Sequence, residues 1–332
     1  MSKLTVYEDD THAWRLIEGD ALELLAKLPE NSVDAVVTDP PYGIGMQPWD
    51  GTDIRRAAGS EARTANEAFQ RWTTLWARQI RRVLAPGGHA LIFAAPRTFH
   101  RLAVGVEDAG LEIRDQLLWV NGQGIPKSRR YPGGRATTLK PAYEPILIAR
   151  APLDGSTQTN LDRWSTGALN VDAAAVGPQR YWPANLALSH APDCEEAACT
   201  NLCPAAALDA ANPKTAPSRI FYCSKASRAE REAGCEGLPP REVALYTGKR
   251  QTPRRRDNHH PTVKPIELMR WLVRLVVPAG GLVLDLFAGS GSTGAAAILE
   301  DRPFVGIERE PDYVEIACAR LTHWAHQGEH TP

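Results

Sequence analysis

The hydrophobic and polar positions of this chain form two recurring patterns. Short apolar runs rich in Val, Ile, Leu and Ala predict seven β-strands, at residues 14–18, 33–38, 88–94, 113–120, 144–149, 281–286 and 303–308. Apolar residues at helical spacing predict helices at residues 21–28, 66–84, 97–109, 265–277, 292–300 and 311–323, the second closed by Pro86-Gly87-Gly88 and the third capped by Gly110. This alternation favours an α/β sheet with helices on both faces.

Residues 151–258 interrupt the alternation. They are rich in Pro, Ala, Gly and Cys, show little periodicity, and lie between two well-patterned parts of the chain. We therefore predict a discontinuous domain formed by residues 1–150 and 259–332, with residues 151–258 as an inserted, loop-rich region.

Composition narrows the class of protein. Of the 332 residues, 43% are hydrophobic and 23% are charged, which is ordinary for a soluble globular protein. No apolar run approaches 18 residues, the first residues lack a secretory apolar segment, and six cysteines are few for a disulfide scaffold. We expect a cytoplasmic protein without membrane association. Because the net charge is −1, affinity for nucleic acid has to come from local basic patches.

A glycine-rich loop follows the sixth predicted strand. Gly289, Gly291 and Gly294 fit the G-x-G-x-x-G pattern between a strand and an alanine-rich helix. Glu308 ends the next strand, where an acid can bind ribose hydroxyls. The simpler alternative is a tight turn beside an unrelated surface acid. The pattern favours a nucleotide-type cofactor, and at this point both a dinucleotide and S-adenosylmethionine remain open.

Asp39-Pro40-Pro41-Tyr42 directly follows the second predicted strand and decides between these cofactors. An exocyclic amine on a nucleobase is a poor nucleophile because its lone pair is delocalised into the ring. The Asp39 carboxylate and the Pro40 carbonyl can accept the amine hydrogens, and the prolines hold these acceptors in place. Tyr42 offers a ring on which an extruded base can stack. With a methyl sulfonium in line, no covalent intermediate is needed.

The tetrapeptide at 39–42, together with Phe287-x-Gly289-x-Gly291 far downstream, resembles the amino-group DNA methyltransferases that act on adenine N6 or cytosine N4. The order, with the catalytic tetrapeptide first and the cofactor loop last, is similar to their beta group. Three further segments carry the resemblance, namely Ile-Glu-Gly-Asp at 17–20, Lys-Pro-Ala-Tyr-Glu-Pro-Ile at 140–146 and His-Pro-Thr-Val-Lys-Pro at 260–265. Leu286 departs from the family, in which many members have proline.

The resemblance implies a Rossmann-like, seven-stranded methyltransferase sheet, circularly permuted, with residues 151–258 as the target-recognition region for double-stranded DNA. It implies S-adenosylmethionine as the cofactor and adenine N6 as the preferred target, since aspartate at the first tetrapeptide position accompanies adenine more often than cytosine. The implied catalytic residues are Asp39, Pro40, Pro41 and Tyr42, and the implied cofactor contacts are Asp20, Lys264, Asp285, Phe287, Gly289, Gly291 and Glu308. It identifies no recognition sequence, restriction endonuclease partner or oligomeric state.

Three other functions account for fewer of these residues. The C5-cytosine methyltransferases need a nucleophilic cysteine, typically after a proline, and the sequence contains no Pro-Cys pair. A dinucleotide-dependent oxidoreductase gives no reason for residues 39–42 or for a cofactor loop at the far end of the chain. A DNA-binding protein without activity does not explain why the acid and the glycine loop are both intact.

Two basic segments are candidates for phosphate contacts. The first contains Lys127, Arg129, Arg130, Arg135 and Lys140, and the second contains Lys249, Arg250 and residues 254–256. Both are predicted to be loops, and we favour DNA contact over solvated surface charge. The aromatic side chains that can interleave with bases, or else belong to the core, are Trp164, Tyr181 and Trp182.

The densest group of metal-ligating residue types lies in the inserted region and consists of His190, Cys194, Cys199 and Cys203. A structural zinc ion there would stabilise a segment with little apolar periodicity, although the spacing fits no standard zinc finger. Reduced thiols are the equal alternative. The other three cysteines, Cys223, Cys235 and Cys318, are expected to be isolated thiols.

The motif order also predicts the strand order. In a doubly wound sheet, the cofactor strand (282–286) is central, with the Glu308 strand on one side and the catalytic strand (33–38) on the other. A right-handed crossover after Glu308 calls for one more strand, which the chain ends without forming. We therefore expect residues 14–17 to pair in parallel with residues 303–308, and the C-terminal helix to pack nearby.

Overall fold

The computed structural model describes residues 5–9, 13–45, 48–120, 130–177, 179–188, 200, 203, 206–207, 210, 221–244 and 253–328. Their strands are β1 (Thr5–Glu8), β2 (Trp14–Glu18), β3 (Val33–Thr38), β4 (Leu84–Phe93), β5 (Glu112–Val120), β6 (Tyr143–Arg150), β7 (Leu186–Leu188), β8 (Phe221–Tyr222), β9 (Arg241–Ala244), β10 (Pro253–Arg256), β11 (Val283–Asp285) and β12 (Phe304–Glu308). A separate antiparallel hairpin is formed by β9 and β10, and the other strands form one mixed sheet.

The strand order of this sheet is β1-β2-β12-β11-β3-β4-β6-β5-β7-β8. The seven strands predicted from the sequence are contiguous at its centre, and β11 pairs in parallel with β12 on one side and β3 on the other. The predicted central position of the cofactor strand is therefore confirmed. Because parallel strands end at the same edge, the loops after β3, β11 and β12 converge there.

The N-terminal strand β2 completes the sheet as predicted. It pairs in parallel with β12 in a register that runs from Trp14 opposite Phe304 to Glu18 opposite Glu308. The C-terminal helix, residues Pro311–Gly328, packs against both strands, and its Leu321 belongs to the same core cluster as Phe304. Strand β1 adds an antiparallel edge that the sequence did not predict.

Helices cover both faces of the sheet. They are α1 (Ala21–Leu25), α2 (Thr52–Ala58), α3 (Ala65–Val83), α4 (Phe99–Asp108), α5 (Thr157–Trp164), α6 (Arg228–Glu232), α7 (Ile266–Val276), α8 (Ser292–Leu299) and α9 (Pro311–Gly328). Leu272 of α7 and Leu321 of α9 pack in one core cluster, and Trp76 of α3 and Leu102 of α4 pack in the other. Both faces of a mostly parallel sheet are thereby buried. All six predicted helices are present, with ends that differ by up to five residues.

The residues predicted to close the second helix belong to a strand instead. The helix predicted at 66–84 ends at Val83, and Pro86-Gly87-Gly88 lies inside β4 rather than in a turn. Val33 pairs with Leu84 but Ala35 pairs with His89, so the extra β4 residues form a bulge. Gly87 has a φ of +76°, and a Cβ there would lie 2.5 Å from Asn160 Nδ2. Glycine is required at this bulge.

Within residues 151–258, the described part contains α5, α6 and the β9–β10 hairpin, and it extends the main sheet. Strand β7 pairs in parallel with β5, and β8 pairs in parallel with β7. No helix among the described residues is long and apolar enough to cross a membrane.

Candidate active site

The loop after β3 carries the tetrapeptide Asp39–Tyr42 and is held in place from several directions. The Thr98 hydroxyl donates a 2.7 Å hydrogen bond to the Tyr42 carbonyl, and the Asp50 carboxylate accepts one of 2.5 Å from the Gly43 amide. Gly43 has a φ of +67°, and a Cβ there would lie 2.6 Å from the Phe69 ring. The loop is therefore preorganised by its neighbours as well as by its two prolines.

Asp39 and three other side chains, from three parts of the chain in all, form one contact network. The Lys264 ammonium donates to Asp39 Oδ2, and the Tyr42 hydroxyl donates a 2.7 Å hydrogen bond to Asp39 Oδ1. Glu144, near the start of β6, lies 3.2 Å from the Tyr42 hydroxyl and 3.5 Å from Lys264 Nζ. We call Asp39, Tyr42, Glu144 and Lys264 the Asp39 cluster.

The charges of the Asp39 cluster influence one another. Burial raises the pKa of the Asp39 carboxyl; the positive charge of Lys264 opposes this rise, and the negative charge of Glu144 adds to it. Burial and the two carboxylates raise the pKa of Tyr42 well above its usual value, so its hydroxyl stays a neutral donor. Burial would lower the pKa of Lys264, but the two carboxylates outweigh it and raise that pKa, so Lys264 stays protonated.

Asp285, the last residue of β11, lies beneath the glycine loop. Its carboxylate accepts 2.6 Å hydrogen bonds from the hydroxyls of Thr38 and Thr293, and one of 3.1 Å from the Phe287 amide. Burial raises the pKa of Asp285 to about 6, and these hydrogen bonds oppose the rise. The side chain is buried, so the structure places it as a support of the loop from below.

The glycine loop has backbone conformations that side chains disfavour. Gly289 has a φ of +53° and Gly291 a φ of +75°, and a Cβ on Gly289 would lie 2.7 Å from His260 Nε2. Residue 289 has to be glycine for His260 to pack there. His260 also meets the Tyr313 ring edge to face, with centroids 4.5 Å apart.

Glu308 closes this part of the site from the end of β12. Its carboxylate accepts a 2.7 Å hydrogen bond from the Gly289 amide and two of 2.9 Å from the amides of Arg309 and Glu310. Burial raises the pKa of Glu308 to about 7 against the effect of these hydrogen bonds. A carboxylate has about four acceptor positions, so one is left for a ribose hydroxyl.

These residues fit an adenosyl cofactor. An acid with a remaining acceptor position stands at the tip of β12, and the adjacent loop has no Cβ at Gly289 and Gly291. Asp20 lies on the neighbouring strand end, where its Oδ1 caps α1 by accepting from the amides of Leu22 and Glu23. The backbone joins the two acids, because the Gly19 amide donates to the Glu308 carbonyl at 2.9 Å.

Two further residues that the resemblance predicts as cofactor contacts have side chains that contact protein groups. Lys264 is in the Asp39 cluster, where its hydrogen bonds go to Asp39 and Tyr42. The partly buried Phe287 ring packs on Trp72 and Trp76 of α3, with centroids 5.5 Å and 6.1 Å away.

A buried cation lies under the glycine loop. The Arg320 guanidinium, on α9, donates 2.8 Å to the Ser290 carbonyl, 3.0 Å to the Ser290 hydroxyl and 3.2 Å to the Ser292 hydroxyl. Burial lowers the pKa of Arg320 to about 10, so it remains charged at neutral pH. No sequence pattern singled it out, because its burial depends on how α9 packs.

Helix α6 supports the segment that carries His260 and Lys264. Glu230 accepts a 2.6 Å hydrogen bond from the Ile266 amide at the start of α7, and Arg231 donates to the His260 carbonyl at 3.0 Å. Glu232 accepts from the amides of residues 257 and 258 at 3.1 and 3.2 Å. Residues 228–232 therefore contact both the active-site segment and, through the Glu230 carbonyl, Arg320.

The predicted metal ligands His190, Cys194 and Cys199 lie outside the described residues, and Cys203 is buried. Among the residues that the structure describes, no group of three or more His, Cys, Asp or Glu side chains could hold a metal ion. Four residues of the two basic segments, Lys127, Arg129, Lys249 and Arg250, also lie outside the described residues. In the described remainder, Arg130, Arg135 and Arg255 are exposed.

Known proteins resemble this chain in sequence and fold. Type II methyltransferase M.HindIII of Haemophilus influenzae is 25% identical over 350 residues, which cover 92% of this chain and 94% of the relative. Type II methyltransferase M.HpaI of Haemophilus parainfluenzae is 25% identical over 310 residues, covering 92% of this chain and 74% of the relative. The structure of the PvuII DNA methyltransferase (cytosine-N4-specific) matches with a TM-score of 0.59 at 17% identity, over 95% of this chain and 92% of that one.

The family model described as DNA methylase, which stands for the N6 and N4 methyltransferases, matches residues 33–319. The match runs from β3, which leads into Asp39, to α9, which holds Arg320 only one residue beyond its end. It therefore includes the Asp39 cluster and the glycine loop within one region of similarity. This chain belongs to the N6/N4 DNA methylase family.

Proposed function

We propose that the protein transfers a methyl group from S-adenosylmethionine to the exocyclic amine of a flipped base in double-stranded DNA, with adenine N6 as the target. The observation that carries this proposal is the position of Asp39. Its carboxylate is preorganised by Lys264 and Tyr42, and its strand is joined to the glycine loop by the hydrogen bond from Thr38 to Asp285. Acceptor and cofactor loop therefore lie at one edge of one sheet.

The residues of the Asp39 cluster would act on the amine. Asp39 and the Pro40 carbonyl accept the amine hydrogens, which favours a tetrahedral nitrogen with a localised lone pair. Tyr42 stacks on the base. Its hydroxyl donates a hydrogen bond to Asp39 and so holds the carboxylate in its orientation. The proton released from the nitrogen passes to Asp39, whose pKa burial raises.

S-adenosylmethionine would be held by the glycine loop and by the acids beside it. Gly289 and Gly291 would allow its close approach to the backbone, Glu308 would accept a ribose hydroxyl, and Asp20, on the strand end beside Glu308, would contact the adenine. When bound, the cofactor supplies a methyl group on a positively charged sulfur. Asp285 would support this pocket by holding the Phe287 amide, and the Phe287 ring would support it by packing against α3.

For the DNA, we propose that residues 1–150 and 259–332 form the methyltransferase domain and residues 151–258 the target-recognition region. Trp182, whose exposed fraction is 75%, is a candidate to interleave with bases there. The exposed Arg130, Arg135 and Arg255 are candidates for phosphate contacts. For His190, Cys194, Cys199 and Cys203 we propose a structural zinc ion, with reduced thiols as the equal alternative.

Cytosine N4 is the second candidate target, since the same acceptors serve either amine. Adenine is preferred on the aspartate at position 39, which in this family accompanies adenine more often. Mass spectrometry of nucleosides from DNA incubated with the protein and S-adenosylmethionine tests both the proposed activity and the choice of target base. N6-methyladenine is expected; N4-methylcytosine alone would overturn the adenine assignment, and the absence of both would overturn the proposed activity.

A further inference from the structure

The predicted role of Lys264 in cofactor binding does not explain the position of its side chain. Its side chain is 7% exposed, and its ammonium contacts Asp39, lies 3.5 Å from Glu144, and sits 4.8 Å from the centre of the Phe93 ring. A buried ammonium is unfavourable unless opposite charges compensate it. Here two carboxylates and two aromatic rings, those of Phe93 and, at 5.8 Å, Tyr42, do so.

The geometry also shows what the cluster would be without this cation. Asp39 Oδ1 and Glu144 Oε2 both lie within hydrogen-bond distance of the Tyr42 hydroxyl, at 2.7 and 3.2 Å. That hydroxyl has one hydrogen, so it can serve only one carboxylate at a time. The two acids would face each other across a single phenol oxygen, and their repulsion would favour protonation of one of them.

We propose that Lys264 is a positioning residue for methyl transfer, which orients the Asp39 carboxylate and balances its charge, in place of a role in cofactor binding. This inference rests on the proposed function. Lys264 reaches Asp39 from the segment just before α7, so this residue of the motif at 260–265 serves the catalytic tetrapeptide, whereas His260 packs on the glycine loop. Because this role concerns the acceptor Asp39, substitution of Lys264 should have little effect on the glycine loop.

The charged groups that face Asp39 set the expected pH dependence. They are Lys264 from the α7 segment, Glu144 from β6 and Tyr42 from its own loop, with Asp285 of β11 also within electrostatic range. Burial and Glu144 raise the pKa of Asp39, whereas Lys264 lowers it. We call the fall of the methyl-transfer rate at low pH the acid limb of the rate profile. Removing Lys264 and removing Glu144 should therefore move this limb in opposite directions.

The test measures single-turnover methyl transfer to DNA between pH 5 and 9 for the wild type and for Lys264→Met, Lys264→Arg and Glu144→Gln. In Lys264→Met the acid limb should move up by about 1–3 pH units, and in Glu144→Gln it should move down by less than that. Lys264→Arg should restore most of the wild-type profile. Calorimetry should find S-adenosylmethionine affinity within about threefold of wild type in Lys264→Met.

A Lys264→Met profile that superimposes on the wild type would overturn the proposal, as would a loss of cofactor affinity of more than tenfold with an unchanged profile. If Lys264→Met does not fold by circular dichroism, Lys264→Gln takes its place: an upward shift of the acid limb there supports the proposal, and a profile that superimposes on the wild type overturns it. A wild type that methylates no base amine contradicts the proposed function instead, so the two failures are distinguishable.

Discussion

The hydroxyl of Thr38, the last residue of β3, donates a 2.6 Å hydrogen bond to Asp285, the last residue of β11. Thr38 directly precedes Asp39, and the same Asp285 oxygen accepts from the amide of Phe287, which leads into the glycine loop. One buried carboxylate thus fixes the start of the catalytic loop relative to the cofactor loop. In-line methyl transfer depends on this relative position.

Thr38→Val should lower the free energy of unfolding by about 1–3 kcal/mol, because it leaves a buried carboxylate without one of its donors. Val has nearly the shape of Thr, so packing changes little. Thr38→Ser keeps the hydroxyl and is the matched control. Urea unfolding measures both; equal stabilities of the Val and Ser variants would show that this hydrogen bond does not stabilise the fold.

Gly291→Val should abolish binding of S-adenosylmethionine in calorimetry. The φ of +75° at Gly291 is strained for a β-branched residue, and the side chain would alter the backbone that the cofactor approaches. Gly59→Val is the control, since Gly59 has a φ of +79° with no atom within 4 Å of a Cβ. Retained binding in Gly291→Val, or equal loss in both variants, would refute the role of this loop.

Glu308 should contribute stability that falls as the pH rises. Its folded pKa of about 7 lies above the usual 4.5, so between these values the folded state holds a proton that the unfolded state releases. The contribution is therefore fully present below about pH 4.5 and is lost as the pH rises to about 7. His89 and His260, with pKa values lowered to about 4 and 3 by burial, act in the opposite direction over part of this range.

The measurement is therefore the difference in the free energy of unfolding between the wild type and Glu308→Gln. This difference should fall by up to about 3 kcal/mol from pH 4.5 to 7 and then stay level. A difference that is flat or that rises with pH would contradict the raised pKa of Glu308.

Purified protein should contain about one equivalent of zinc, which Cys199→Ser should remove. Cys318→Ser, in α9 and outside the proposed ligand set, should leave the zinc content unchanged. Elemental analysis of protein prepared without chelators is the measurement. If no metal is found, these cysteines are reduced thiols.

The centre of the fold was predictable because its strands are buried on both faces and appear as continuous apolar runs. Strand β1 was not predicted, since all four of its residues are exposed and lack an apolar alternation. The bulge at Pro86-Gly87-Gly88 resembles a helix stop in sequence. Only the pairing of β4 with β3 shows that the chain continues as a strand.

Within the candidate site, the acid of the tetrapeptide and the glycines carry local patterns, whereas their partners do not. Glu144 was part of a recognised segment, but its place beside Tyr42 depends on β6 running antiparallel to β4. That orientation brings the start of β6 to the edge where the parallel strands end. The contact of Lys264 with Asp39 joins positions 225 residues apart, and spacing along the chain gives no sign of it.

The most direct test of the account is single-turnover transfer of a labelled methyl group to DNA by Asp39→Ala. Loss of a preorganised acceptor should lower the transfer rate by ~10²–10³, while calorimetry shows that S-adenosylmethionine still binds. Asp108→Ala, which changes an exposed aspartate at the end of α4, is the control and should transfer at the wild-type rate. A rate for Asp39→Ala within a few fold of the wild type, with cofactor binding intact, would contradict the role of Asp39 as the acceptor.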